Sequence, residues 1–136
     1  MQSIKITRPV VIKVRVTEEY KKVVAFELQK LIHGLDLELQ QLEFQAKKLQ
    51  AEVAKNSQFA VTAKQKLEEE VRQRLNKKQQ YMDKIKDISR LELGSEVIHG
   101  RVESLVELKV GDDWNQLMNV EVLIENGKVL EIRQGV

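Results

Sequence analysis

The sequence predicts an α+β chain: a long antiparallel coiled-coil helical hairpin projecting from a small antiparallel β-sheet or barrel-like head, which the N-terminal strand and the C-terminal strands build together. Three observations predict it. Apolar and polar residues alternate near both ends of the chain, from Ile4 to Val16 and again after Gly94, as in half-buried strands. Between them, apolar residues recur in steps of four and three, the spacing of a coiled-coil seam. Within "AEVAKNSQFAVTAKQ", residues 51–65, that seam changes register, and Asn56 and Ser57 suit a turn better than a helix interior. The chain therefore reads as residues 1–16, the first strand of the head; 17–93, the hairpin, with its turn near 55–62; and 94–136, the rest of the head.

In the first strand the even positions Ile4, Ile6, Val10, Ile12, Val14 and Val16 form the apolar face, and Pro9 places part of the strand at an edge or a bulge. Thr17, followed by Glu18 and Glu19, is a helix N-cap with acids in the first turn. The first helix carries the seam Leu28, Ile32, Leu35, Leu39, Leu42, Ala46, Leu49 and Val53; the second carries Leu67, Val71, Leu75, Lys78, Met82, Ile85 and Ser89. A chain reversal near Ser57 and Gln58 sets Leu49 against Leu67, Leu42 against Leu75 and Leu35 against Met82, with Lys78 opposite Leu39 as the one poor match. Thr62 and Gln65 have the spacing of a capping box for the second helix. The competing arrangement is a single helix of ~74 residues, about 110 Å long at ~1.5 Å per residue.

Gly94 is a suitable residue to follow the second helix. Three strand-like runs come next, Val97–Val110, residues 118–124 and residues 128–133. For the last two, a three-residue loop of Glu125, Asn126 and Gly127 pairs Val122 with Leu130 and Val120 with Ile132, with Gly127 left-handed; a two-residue turn would set Val122 against Glu131. The charge is segregated to match: residues 1–17 carry a net +4, residues 18–90 a net +3 and residues 91–136 a net −5. The first strand and the C-terminal strands therefore attract one another.

At 136 residues with few aromatics, the chain suits a helical hairpin and small sheet better than one large core. It contains no cysteine, which removes disulfides, thiolate nucleophiles and Cys-based zinc sites together. "MQSIKITRPVVIKVRV" lacks the unbroken apolar core of a signal peptide, and no apolar run approaches a membrane span. The expectation is a soluble cytoplasmic protein.

The closing segment, "LELGSEVIHGRVESLVELKVGDDWNQLMNVEVLIENGKVLEIR", resembles the YlqD family of small bacterial proteins, above all in "LGSEV", "VELKVGDDW" and "NGKVLEIR". A short N-terminal strand followed by a charged helical region is similar to the family's layout too. The resemblance brings no assigned activity and no functional residues. In some bacteria the family's gene is placed like those of ribosome-maturation and RNA-binding proteins, which implies a link to translation.

No nucleophile–base pair is legible, and neither histidine, His33 or His99, stands at a catalytic or ligand spacing. "GDDWN", residues 111–115, lacks the order of a calcium loop and reads as a turn in which Trp114 covers the sheet's core. No enzyme activity, cofactor, metal or small-molecule substrate is therefore expected. Leu37 and Phe44 lie off the first seam, as Tyr81 and Ile88 lie off the second, and Phe59 sits at the turn, as a lid on the last layer or as a contact. Leu37, Phe44, Phe59 and Tyr81 are accordingly the candidate partner-binding residues, the partner being another protein or a second copy of the chain. Arg72, Arg74, Lys77 and Lys78, from "RQRLNKK", are the candidate nucleic-acid contacts. The resulting expectation is a non-enzymatic coiled-coil interaction or scaffold protein. An RNA- or ribosome-associated factor using the basic helix faces is the alternative, and prefoldin-like client holding comes third.

Overall fold

The computed structural model describes residues 1–53, 55 and 58–135. Its elements run β1 (Ser3–Arg15), α1 (Glu18–Val53), α2 (Gln58–Arg90), β2 (Glu96–Lys109), α3 (Trp114–Met118), β3 (Val120–Glu125) and β4 (Lys128–Gln134). They form a mostly antiparallel four-stranded sheet and a long helical hairpin, an α+β arrangement. Two compact units result: Met1–Lys21 with Leu91–Val136, and Lys22–Arg90.

In the first unit the strand order is β2-β1-β3-β4. β2 returns antiparallel along nearly the whole of β1, from Arg15 opposite Glu96 to Ser3 opposite Lys109. The junction is closed by two backbone hydrogen bonds of 2.8 Å, from Val16 N–H to the Ser95 carbonyl and from Gly94 N–H to the Val16 carbonyl. Gly94 (φ 87°) shapes this turn and does not directly cap α2, which ends earlier, at Arg90. The expected all-antiparallel sheet is corrected at β3, which runs parallel to β1 from Val10–Val120 to Val14–Ile124. The reason lies in α3, a single turn missed in the sequence. It carries the chain from the end of β2 to the far side of β1, so that β3 sets off in the direction of β1. Arg8 holds this crossing, its guanidinium donating to the Leu117 carbonyl at 2.9 Å and to Ser104 Oγ at 3.0 Å.

Burial follows strand pairing more closely than residue parity. Val10, Val14 and Val16 are buried beside Val120 and the fully enclosed Leu123, whereas Ile4 is exposed and Ile6 only half-buried. The two β1 positions that are fully buried, Val10 and Val14, are ones that β3 lies alongside. Pro9 stands one residue before that pairing begins, with β2 as its sole neighbouring strand, so its missing N–H leaves no ladder bond unmade on the open side.

The segregated charges meet as anticipated: Lys13 Nζ lies 2.8 Å from Glu121. Arg133 on β4 donates twice to Glu96 on β2, at 2.8 and 3.0 Å, and also reaches Glu131 and Glu121. These hydrogen bonds hold the Glu96 carboxyl below the usual carboxylate range. β2 and β4 are opposite edges of the sheet, roughly 14 Å apart if it were flat at ~4.8 Å per strand. A bidentate pair between them requires the sheet to curl.

The β3–β4 turn differs from the expected loop. Asn126 (φ 48°) and Gly127 (φ 80°) are both left-handed, the pattern of a two-residue hairpin turn. That turn alone would oppose Val122 with Glu131. Leu130 is instead an extra, bulged residue, and Val122 faces Ile132. The Thr17 N-cap is as expected: its hydroxyl accepts from Tyr20 N–H at 3.0 Å and donates to Asn126 Oδ1 at 2.7 Å. Trp114 is 56% exposed and covers no core. The acids before it serve the backbone, Asp112 accepting from Lys109 N–H and Asp113 capping α3 through Gln116 N–H.

Candidate interaction surface of the hairpin

The expected turn at 55–62 is narrower than anticipated, because α2 already begins at Gln58; Ala54, Asn56 and Ser57 lie outside the described residues. Thr62 is no cap. It stands inside α2 and donates its hydroxyl back to the Gln58 carbonyl at 3.1 Å.

On α1 the leucine seam is as the spacing predicts. Leu28, Leu35 and Leu42 are buried, and Ile32, Leu39, Ala46 and Leu49 between them are half-buried. On α2 the predicted seam fails at alternate layers. Leu75 is 50% exposed and Met82 is exposed, while Arg74, Tyr81 and Ile88, each one residue away, are half-buried with Leu67, Val71, Lys78 and Ile85. Cross-helix ion pairs accompany this rotation. Arg74 Nε lies 2.9 Å from Glu38, and Lys78 Nζ lies 2.7 Å from Asp36. Long basic side chains can lay their methylenes along an apolar seam while their heads reach a carboxylate, so Arg74 fills a seam position that Leu75 was expected to hold.

This changes the standing of the candidate residues. Tyr81 belongs to the hairpin's own inner face, near Lys77 and Lys84, and lines a shallow hollow with Lys30, Leu31, Gly34 and Lys77. Leu37 and Phe44 are off the seam as predicted, 50% and 61% exposed. Phe59 is 83% exposed, so of its two readings the lid is corrected and the exposed contact position stands. Of the four basic candidates, Arg72 pairs with Glu69, Arg74 with Glu38 and Lys78 with Asp36, and Lys77 lies 6.0 Å from the Tyr81 ring centre. They do not form a free basic stripe.

Val23 and Phe26, also exposed, were missed. Val23 opens a seven-residue step, Val23, Lys30, Leu37, Phe44 and Ala51, a second stripe about 160° around the helix from the leucine seam at ~100° per residue, and Phe26 lies beside it, three residues after Val23 and four before Lys30. Lys30 and Lys48 sit over Phe26 and Phe44, at 4.8 and 4.6 Å from the ring centres. His33 and His99 are exposed, and among the described residues no three His, Asp or Glu side chains gather as a metal site. Among the same residues no helix is long and apolar enough to cross a membrane.

Comparison with known proteins adds a family and a fold. The family model described as "YlqD protein" matches residues 4–133. A relative from Bacillus subtilis (strain 168), named "Uncharacterized protein YlqD", is 39% identical over 51 residues, 37% of this chain and 40% of that protein. The match thus spans about two-fifths of the relative's length. A crystal structure of a protein of unknown function from Synechococcus sp. WH 8102 superposes with a TM-score of 0.83 over 97% of both chains at 23% identity, a likeness of fold.

Proposed function

The chain belongs to the YlqD family, and on that premise we propose that it is a non-enzymatic coiled-coil interaction or scaffold protein of the cytoplasm, binding a protein partner through its helical hairpin. The observation that carries this reading is the exposure of Leu37, Phe44 and Phe59 outside the seam that the hairpin buries for itself. Aromatic side chains of this kind supply large apolar contact area when a partner covers them.

The RNA- or ribosome-linked reading loses support from the ion pairing of Arg72, Arg74 and Lys78, because phosphate contacts would have to displace those carboxylates. Client holding in the manner of prefoldin rests on likeness of architecture alone, a poor guide to function. The test is affinity capture of the tagged chain from native lysate, with and without ribonuclease, beside Phe44→Ser and Phe59→Ser variants. A discrete protein that survives nuclease and is lost with either variant supports the proposal. Ribosomal components that vanish on nuclease treatment would replace it with the RNA-linked reading.

A further inference from the structure

We propose that the outer face of α1 binds a second copy of the chain, the two helices packing antiparallel about a twofold axis near Leu37. This rests on the interaction reading above and names the partner of that face.

The stripe is self-complementary under reversal. Phe26, Lys30, Leu37, Phe44 and Lys48 stand at −11, −7, 0, +7 and +11 residues from Leu37. A twofold axis exchanges the signs, so Phe26 meets Lys48 of the second copy, Lys30 meets Phe44, and Leu37 meets its own equivalent. An isologous contact requires this matching of a surface with its own inverse. Farther out, Val23 and Ala51, at −14 and +14, meet as a larger and a smaller apolar group.

The charges select the orientation. Lys30 and Lys48 have no carboxylate partner among the described residues; each rests on a phenylalanine of its own helix. In the antiparallel arrangement each meets a second ring, and ring faces attract cations. A parallel arrangement would set Lys30 against Lys30 and Lys48 against Lys48. From Val23 to Ala51 the stripe is ~42 Å long and about one helix, ~10 Å, wide. The contact therefore falls below the ~1,200 Å² of a standard interface, in the size class of weak, transient encounters.

The chain's lack of cysteine makes the test direct. Leu37→Cys and Lys48→Cys variants, each checked for unchanged helicity, would be treated with a short bismaleimide, and the unaltered chain sedimented across the micromolar range. The proposal expects concentration-dependent dimerisation and crosslinking of Leu37→Cys alone, because two copies of position 48 lie about 33 Å apart in the antiparallel pair. Crosslinking of Lys48→Cys as fast as Leu37→Cys would overturn the orientation. A chain that sediments as a monomer throughout would overturn self-association; the interaction reading then stands or falls separately, on whether Leu37→Glu loses a captured partner of another kind.

Discussion

The two helices of the hairpin turn different kinds of residue inward: α1 an unbroken apolar seam, α2 a face that mixes apolar residues with Arg74 and Lys78. On α1 every inward layer carries an apolar residue, so apolar spacing and burial coincide from Leu28 to Leu49. On α2 two stripes share Leu67, Val71, Lys78 and Ile85 and differ by one residue at alternate layers. One adds Leu75 and Met82; the other adds Arg74, Tyr81 and Ile88 and is the one turned inward. Apolarity favoured the first. Placement of charge favoured the second, because turning Arg74 inward brings it to Glu38, whereas Lys78, which both stripes contain, reaches Asp36 without choosing between them. Where apolar residues leave two faces nearly equal, the facing helix's carboxylates decide between them.

The sharpest break of this comparison is a pair of truncations. Leu35→Ala should cost about 3 kcal/mol, as expected for a large buried side chain, and Leu75→Ala no more than about 0.5 kcal/mol, as for an ordinary surface change. Urea unfolding followed by circular dichroism reads both. Equal losses would restore the Leu75 seam. Next come the two threonines. Thr17→Ala should cost about 1 kcal/mol as the loss of an N-cap, whereas Thr62→Ala, inside its helix, should be neutral within about 0.5 kcal/mol. A large loss at Thr62 would mean that it caps α2 after all. Smallest is the Arg74–Glu38 coupling. A double-mutant cycle with Met and Gln should give about 0.2–1 kcal/mol, falling in high salt. No coupling at low salt would remove the ion pair as the cause of the rotation.

The readable parts of the fold were those whose signal is local. Thr17 carries its cap in its own chemistry, and the α1 leucines repeat without a rival. What escaped depended on distant neighbours. The parallel pairing of β1 with β3 follows from the path of α3 across β1, which no periodicity records. The bulge at Leu130 is needed only because a two-residue turn would otherwise oppose Val122 and Glu131. Of the candidate surface, Leu37 and Phe44 were legible because they are large apolar residues lying off an otherwise complete seam. Tyr81 was misplaced with the rest of α2, and Phe26 went unnoticed because its partners in the second stripe include lysines.

The central claim is that α1 has one face for its own hairpin and another for a partner, and two leucines two residues apart test it most directly. Leu35 is 9% exposed and Leu37 50%, about 160° apart around the helix at ~100° per residue. Glutamate would be placed at each in turn, and helicity, melting temperature and partner capture measured on both variants. Leu35→Glu should lose hairpin helicity and melt early, while Leu37→Glu should keep the helicity and melting temperature of the unaltered chain and lose its partner. Two variants that melt alike, or a Leu37→Glu chain that still captures the same partner, would contradict the account.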